Sequence, residues 1–274
     1  MARFLRRLSF NRNPGWVFIL PSLALILLLG LPLLALIYRA IAPDFFGYVF
    51  SSQAISALKL SLLTSTASVL ITIASGTPLA YILARWNFNG KTAFEMLIDL
   101  PVVLPPSVAG LALLIAFGRM GVFGSWLSAL GISLPFTTAA VVIAQTFVSA
   151  PLYVRSARVG FAEVDKQLEE AANVEGANEW QVFRYVMFPL AGRALLTGLV
   201  LTWTRALGEF GATIMFAGNL QGKTQTMPLA IYLAFESGLG VAVALSVMLV
   251  VVSIVLLMIM RRLERRSAVI NHSI

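Results

Sequence analysis

The chain has 274 residues, of which 59% are hydrophobic and only 12% charged, with a mean hydropathy of +0.88. Soluble domains carry about 45–50% apolar residues, so a soluble enzyme is excluded. Twenty Lys and Arg against twelve Asp and Glu give a net charge of +8, and with no Cys and one His, His272, there is no disulfide framework, thiol nucleophile or metal cluster to build.

A helix crosses roughly 30 Å of hydrocarbon in about twenty mostly apolar residues. Stretches of that kind with few or no charges predict six spans in a single all-α, polytopic membrane domain over 1–274, at about 16–38, 60–84, 100–117, 138–154, 194–217 and 239–260. The first follows Arg3, Arg6, Arg7 and Arg12, but its apolar core exceeds the about 7–15 residues of a cleaved signal and reads as a retained span. Down the second runs a stripe of Ser61, Ser65, Ser68, Thr72 and Ser75, a pattern used to pack helices or to line a pathway. Pro101, Pro105 and Pro106 interrupt the start of the third, as a hinge, a pathway wall or a static kink would.

Bases resist translocation and gather in the cytoplasm. The N-terminus, the 85–91 connection, the 155–193 segment and the tail hold fifteen of the twenty Lys and Arg. Arg119 and Lys223 fall on the other side, with Arg39 and Lys59 at span ends, so both termini are expected in the cytoplasm. The positive charge then serves topology and contact with anionic membrane lipid, and nucleic acid is not an expected partner.

The connection 155–193 contains eleven of the thirty-two charged residues and is where a partner would dock. Its centre, Glu163 to Gly176, has good helix formers with a glycine suited to a helix stop. Trp180, Val182, Phe183, Val186 and Phe188 suggest a second short helix that returns to the membrane and ends at Pro189. Glu163, Asp165, Glu169, Glu170, Glu175 and Glu179 would be repelled by acidic lipid, which favours docking to a protein.

Glu170-Ala171-Ala172, Gly176 and Val186-x-Phe188-Pro189 resemble the cytoplasmic signature of ABC-importer permeases, with Val and Phe in place of Ile and Leu. The resemblance implies a type I ABC importer permease fold in the inner cell membrane. It further implies a coupling helix, carried by Glu170, Ala171, Ala172, Gly176 and Pro189, that sits in a groove of a cytoplasmic ATPase subunit. An extracytoplasmic substrate-binding protein and a second permease copy, expected to be identical, complete such an assembly. The residue types suit such docking, since small Ala171 and Ala172 admit a close surface and Glu170 can accept a charge-assisted hydrogen bond. No Gly-x-x-x-x-Gly-Lys-Ser/Thr occurs, so ATP is expected on another polypeptide.

Arg205 and Glu209 are charges deep within the fifth predicted span; Arg205 lies twelve residues beyond Arg193, roughly 18 Å at 1.5 Å per residue. At i, i+4 they can neutralise each other structurally or present a cation to an anionic substrate. Gly208 and Gly211 beside them allow close approach. The run Thr204 to Asn219, together with Gly222 to Tyr232 and Asp99 to Gly110, is similar to permeases for molybdate and sulfate and leans towards molybdate. This implies import of a tetrahedral oxyanion, with sulfate, thiosulfate or tungstate as alternatives to molybdate. Arg205, Glu209 and the hydroxyl of Ser107 are the pathway candidates. No catalytic residue, cofactor or metal is expected. A secondary transporter would want carboxylates free to bind ions, and a membrane-embedded enzyme a nucleophile beside a base; the sequence offers neither.

Overall fold

Backbone N–H and C=O groups find no water in hydrocarbon, so a membrane chain must pair them within helices or closed barrels. Helices do so here. The computed structural model describes residues 16–41 and 43–270, and no strand occurs among them. Arg3, Arg6, Arg7, Arg12 and His272 lie outside the described residues, as do the side chains of Arg261, Arg265 and Arg266.

α1 (Trp16–Arg39) and the short α2 (Phe45–Val49) lead into α3 (Ser52–Arg85), capped by the Ser51 hydroxyl, which accepts from the Ala54 amide at 3.3 Å. α4 (Lys91–Val103), α5 (Pro106–Phe117) and the short α6 (Gly124–Ala129) follow. α7 (Thr138–Glu163) starts at Thr137, whose hydroxyl accepts from the Ala140 amide at 3.2 Å. α8 (Lys166–Val174), α9 (Glu179–Leu190) and α10 (Gly192–Leu207) come next. α11 (Gly211–Ala217), α12 (Met227–Ser237) and α13 (Leu239–Ile270) complete the order. Among the described residues, Val17–Arg39, Ser52–Arg85, Thr138–Glu163 and Leu239–Ile259 are each long and apolar enough to cross a membrane, and the bent pairs α4–α5 and α9–α10 bring the number to six.

Several boundaries differ from the sequence expectation, each for a local reason. The stretch 100–117 is not one helix, since α4 and α5 meet at 115°. Leu104 is extended (φ −63°, ψ 137°) because the residue before a proline is pushed out of the α region, and Pro106 then takes the first turn of α5, where no amide is needed. The stretch 194–217 is also broken: α10 ends at Leu207, Phe210 is off-helix (φ −126°, ψ −55°), and α11 starts anew at Gly211. The connection expected over 155–193 begins later, because Val154, Ala157 and Phe161 continue the buried face of α7 at helical spacing. The helix expected over 163–176 is therefore the shorter α8, separated from α7 at Val164–Asp165 and followed by Gly176 at φ 90°. α3 and α13 outrun their apolar stretches into polar residues that are themselves good helix formers.

α3, α7 and α10 pack on one another at the centre, α5 packs against α11, α12 against α13, and α4 against α7. α1 lies along α13 and buries none of its described side chains; apolar in every direction, it presents surface suited to lipid or to another apolar surface. At the centre, small residues set the spacing: Ala80, Ala140, Ala144, Ala157 and Ala206 are fully buried. The stripe on α3 belongs to this packing. Ser61, Ser65, Ser68 and Thr72 are buried, whereas Ser75 is exposed. The Ser65 hydroxyl accepts from Trp203 Nε1 of α10 and that of Ser68 from Thr146 of α7, both at 3.0 Å, and Ser61 takes the Met227 amide of α12 at 2.7 Å. Interhelical hydrogen bonds of this kind contribute about 0.6 kcal/mol each in membranes.

The contact of α5 with α11 is closer still. A Cβ on Gly110 would sit 2.6 Å from Met215 Cβ and 2.8 Å from the Ala212 carbonyl. Gly110→Val is expected to cost about 1–3 kcal/mol by overpacking, read as a lowered thermal midpoint of the detergent-purified chain. Gly30→Ala, on the open surface of α1, is the matched control and should leave the midpoint unchanged.

Candidate functional site

One end of the molecule is built from α8, α9 and the ends of α3 and α7. Asp165 starts α8 by accepting the Gln167 amide at 3.0 Å, and Asn178 starts α9 through a reciprocal capping box with Gln181. Beneath them Leu83, Val154, Phe161, Val164, Val182 and Met187 form a buried cluster, against which Ala172 packs. The two faces of α8 thus do different things. Glu169 and Ala172 turn inward, whereas Glu170, Ala171 and Val174 are exposed, Val174 to 89%. Of the predicted coupling residues, Glu170 and Ala171 stand on the open face, Ala172 anchors the helix, and Gly176 supplies a left-handed turn at φ 90°. Trp180 of α9 adds an apolar surface that is 67% exposed.

Pro189 explains the irregularity of α9. Having no N–H, it cannot bond the carbonyl of Tyr185, and the ladder shifts to π-helical over Phe183–Met187, with the Phe188 amide bonding the Phe183 carbonyl. α9 then meets α10 at 70°.

Arg85, the last residue of α3, is a member of this end that sequence reasoning assigned only to topology. Its Nη2 forms an ion pair with Glu169, donates to the Val164 carbonyl at 2.8 Å and touches Met187 Sδ at 3.5 Å. Two more ion pairs join α4 to α7, Arg155 to Asp99 at 2.8 Å and Arg158 to Glu95 at 2.5 Å. The matching spacings on the two helices were the available signal, but the pairing depends on a fold that spacing does not give.

The second candidate region is the break between α10 and α11. Arg205 Nη1 donates to Glu209 Oε2 at 2.6 Å, and Glu209 Oε1 accepts the Ala212 amide at 2.7 Å in the first turn of α11. Both carboxylate oxygens are engaged, and Glu209 is 1% exposed, while about a third of the Arg205 side chain (35%) remains open. The carboxylate therefore both neutralises Arg205 and pins a helix start whose amides would otherwise be unpaired. Gly211 packs on Pro106, where an added Cβ would lie 2.5 Å from Pro106 Cβ, so the break in one bundle element meets the bend in the other. Ser107, next to Pro106 and exposed, belongs to the same junction; it makes no contact with Arg205 among those the structure shows.

A helical bundle with two bent spans, an acidic helical hairpin at one end and a partly open ion pair in its interior has the form of a polytopic membrane protein. The family model for the inner membrane component of binding-protein-dependent transport systems matches residues 76–269, and the chain belongs to that family. It is 44% identical over 238 residues to the molybdenum transport system permease protein ModB of Mycobacterium tuberculosis, covering 87% of this chain and 90% of that one. The sulfate transport system permease protein CysT of Escherichia coli is 35% identical over 244 residues, covering 88% of each chain. The fold matches that of a bacterial ABC transporter involved in the import of the acidic polysaccharide alginate, with a TM-score of 0.75 at 20% identity over 92% of this chain and 94% of that one. The chain is thus a multi-pass membrane permease with the type I ABC importer permease fold.

Removing Arg205 would strand a buried carboxylate. Breaking a buried pair costs about 3–5 kcal/mol, and the partial exposure of Arg205 discounts this to about 2 kcal/mol. Arg205→Ala is expected to lower the unfolding midpoint, and adding Glu209→Gln should restore part of it by removing the unpaired charge. A double variant no more stable than the single one would mean that the pair is not what holds this junction.

Proposed function

We propose that the chain is the permease subunit of an ATP-driven importer that moves a tetrahedral oxyanion, molybdate first, into the cytoplasm. The similarity to molybdenum permeases over most of the chain carries this reading. The lower identity to sulfate permeases makes sulfate or thiosulfate the second reading, and tungstate shares the geometry and charge of molybdate.

In this reading both termini and the α8–α9 hairpin lie in the cytoplasm, as the distribution of Lys and Arg favours. A separate ATPase subunit receives the open face of α8, where Glu170 meets a basic group and Ala171 allows close approach, beside the exposed Val174. Ala172, Gly176 and Pro189 hold that face in position. Two copies of the chain enclose the pathway, and an extracytoplasmic binding protein delivers and selects the anion. Arg205 supplies positive field near mid-membrane, and Glu209 tempers it, because an anion held too firmly would not leave. The Ser107 hydroxyl at the neighbouring bend is a further donor to the oxyanion.

ATP binding and hydrolysis select between outward-open and inward-open arrangements through their differential grip on the hairpin. With the cognate ATPase and binding protein reconstituted in proteoliposomes, the unaltered chain should take up molybdate and show anion-stimulated hydrolysis. Glu170→Lys should leave insertion unchanged and abolish the stimulation. Unchanged stimulation would remove Glu170 from the docking face, and uptake of sulfate in preference to molybdate would decide for the second reading.

A further inference from the structure

The outward face of α8 explains where a motor grips but not how its motion enters the membrane. α8 is joined to the rest of the chain by two non-helical hinges. Val164 and Asp165 are extended, with ψ 128° at both, and the far side turns at Gly176 with φ 90° before α9 begins. Neither hinge continues a helix, so force on α8 would be absorbed in backbone rotation unless something else ties the helix down.

Arg85 is that tie. Its side chain is 9% exposed and that of its partner Glu169 17%, so the pair is largely sealed within the single chain. The same guanidinium reaches the Val164 carbonyl at 2.8 Å and Met187 Sδ at 3.5 Å. One planar group therefore holds the end of α7, the inward face of α8 and the π-helical part of α9 against the terminus of α3. Nη2 makes all three contacts, and arginine suits the position because its stiff planar head carries that nitrogen to a fixed place, whereas a lysine ammonium is a point on a flexible stem. One turn back on α3, Tyr81 packs edge-on against Phe161 of α7 and Phe183 of α9, with ring centroids 5.6 and 5.2 Å apart. The clamp is backed by a rigid aromatic wall.

What it clamps to is the longest helix among the described residues. α3 has 34 residues, and at 1.5 Å per residue it extends about 50 Å from Ser52 to Arg85. Along it Ser68 bonds Thr146 of α7, Ser65 bonds Trp203 of α10, and Ser61 bonds the first amide of α12. We infer that the Arg85–Glu169 pair is the transmission clamp by which displacement of the docking helix is passed to α3 and so to the far end of the bundle. The inference rests on the importer reading and adds positioning residues distinct from those that touch the ATPase.

The chain has no native cysteine, so single labels report cleanly. Environment-sensitive labels on Gln167→Cys in α8 and Leu63→Cys in α3, both exposed, are read with and without ATP in the full complex with ATPase and binding protein. In the unaltered chain both labels should respond. In Arg85→Met and in the milder Glu169→Ala, the ATPase should still bind and the α8 label still respond, while the α3 response disappears and anion uptake falls by about tenfold, the order of a typical coupling between sites. Arg85→Lys, which keeps the charge without the fork, should recover part of the uptake. An α3 response and uptake close to those of the unaltered chain in both Arg85→Met and Glu169→Ala would overturn the clamp. Loss of ATPase binding in both would overturn it too, by placing the pair in docking. If the unaltered chain itself recruits no ATPase, the importer reading fails first, and the clamp with it.

Discussion

Every departure from a continuous helix inside a membrane exposes backbone groups that lipid cannot satisfy, and the architecture of this chain follows from where such departures are allowed. The bend at Leu104–Pro105 and the break at Gly208–Phe210 are far apart in sequence yet meet in space, with Gly211 against Pro106. The meeting protects both. At the bend Pro105 and Pro106 have no amide to leave unpaired, and at the break the Glu209 carboxylate takes the Ala212 amide. The irregular backbone of one bent element is thereby seated against that of the other, with Glu209 buried at the junction while Pro105, Pro106 and Ser107 remain exposed.

The interior charge obeys the same constraint. A lone arginine in this setting would be costly, and a lone buried carboxylate more so. Placed one turn apart across a helix end, Arg205 and Glu209 reduce that cost while fixing the direction in which α11 leaves the break. Glu209 has both oxygens occupied and Arg205 keeps about a third of its surface open, so the arginine is the accessible member of the pair.

Much of this was legible in the chain, and the remainder has identifiable physical reasons for being hidden. Hydropathy located the long helices because a span has to be apolar, and the helix formers before Gly176 located α8. The prolines at 105 and 106 marked an interruption, although the size of the bend was not readable, whereas Pro101 was expected to interrupt the span and instead lies inside the continuous α4. The break after Leu207 was missed because glycine is common within membrane helices, and only the Glu209 carboxylate on the Ala212 amide makes a helix start there. Ala172 was read as admitting a partner; its inward position follows from the phase of a nine-residue helix that could be set only once the Val164–Asp165 hinge was known. Arg85 was least visible of all. A base after a span is the ordinary marker of topology, and its partner Glu169 is on another element.

The distribution of polar groups sets how such a bundle can move. Along α3 the serine hydroxyls accept single hydrogen bonds from α7, α10 and α12, and the other buried residues of the helix are mostly alanine, glycine and threonine, with Val69 and Leu83 the larger exceptions. Small-residue seams allow helices to slide or rock without leaving cavities, since little side-chain volume has to be repacked. The acidic end is different: Phe161, Phe183, Tyr81, Val182 and Met187 interlock there, and arginine-centred ion pairs tie α3 to α8 and α7 to α4. The bundle thus combines tight, interlocking packing at the acidic end with small-residue packing along α3, and the two differ in how much side-chain volume a helix shift would have to repack.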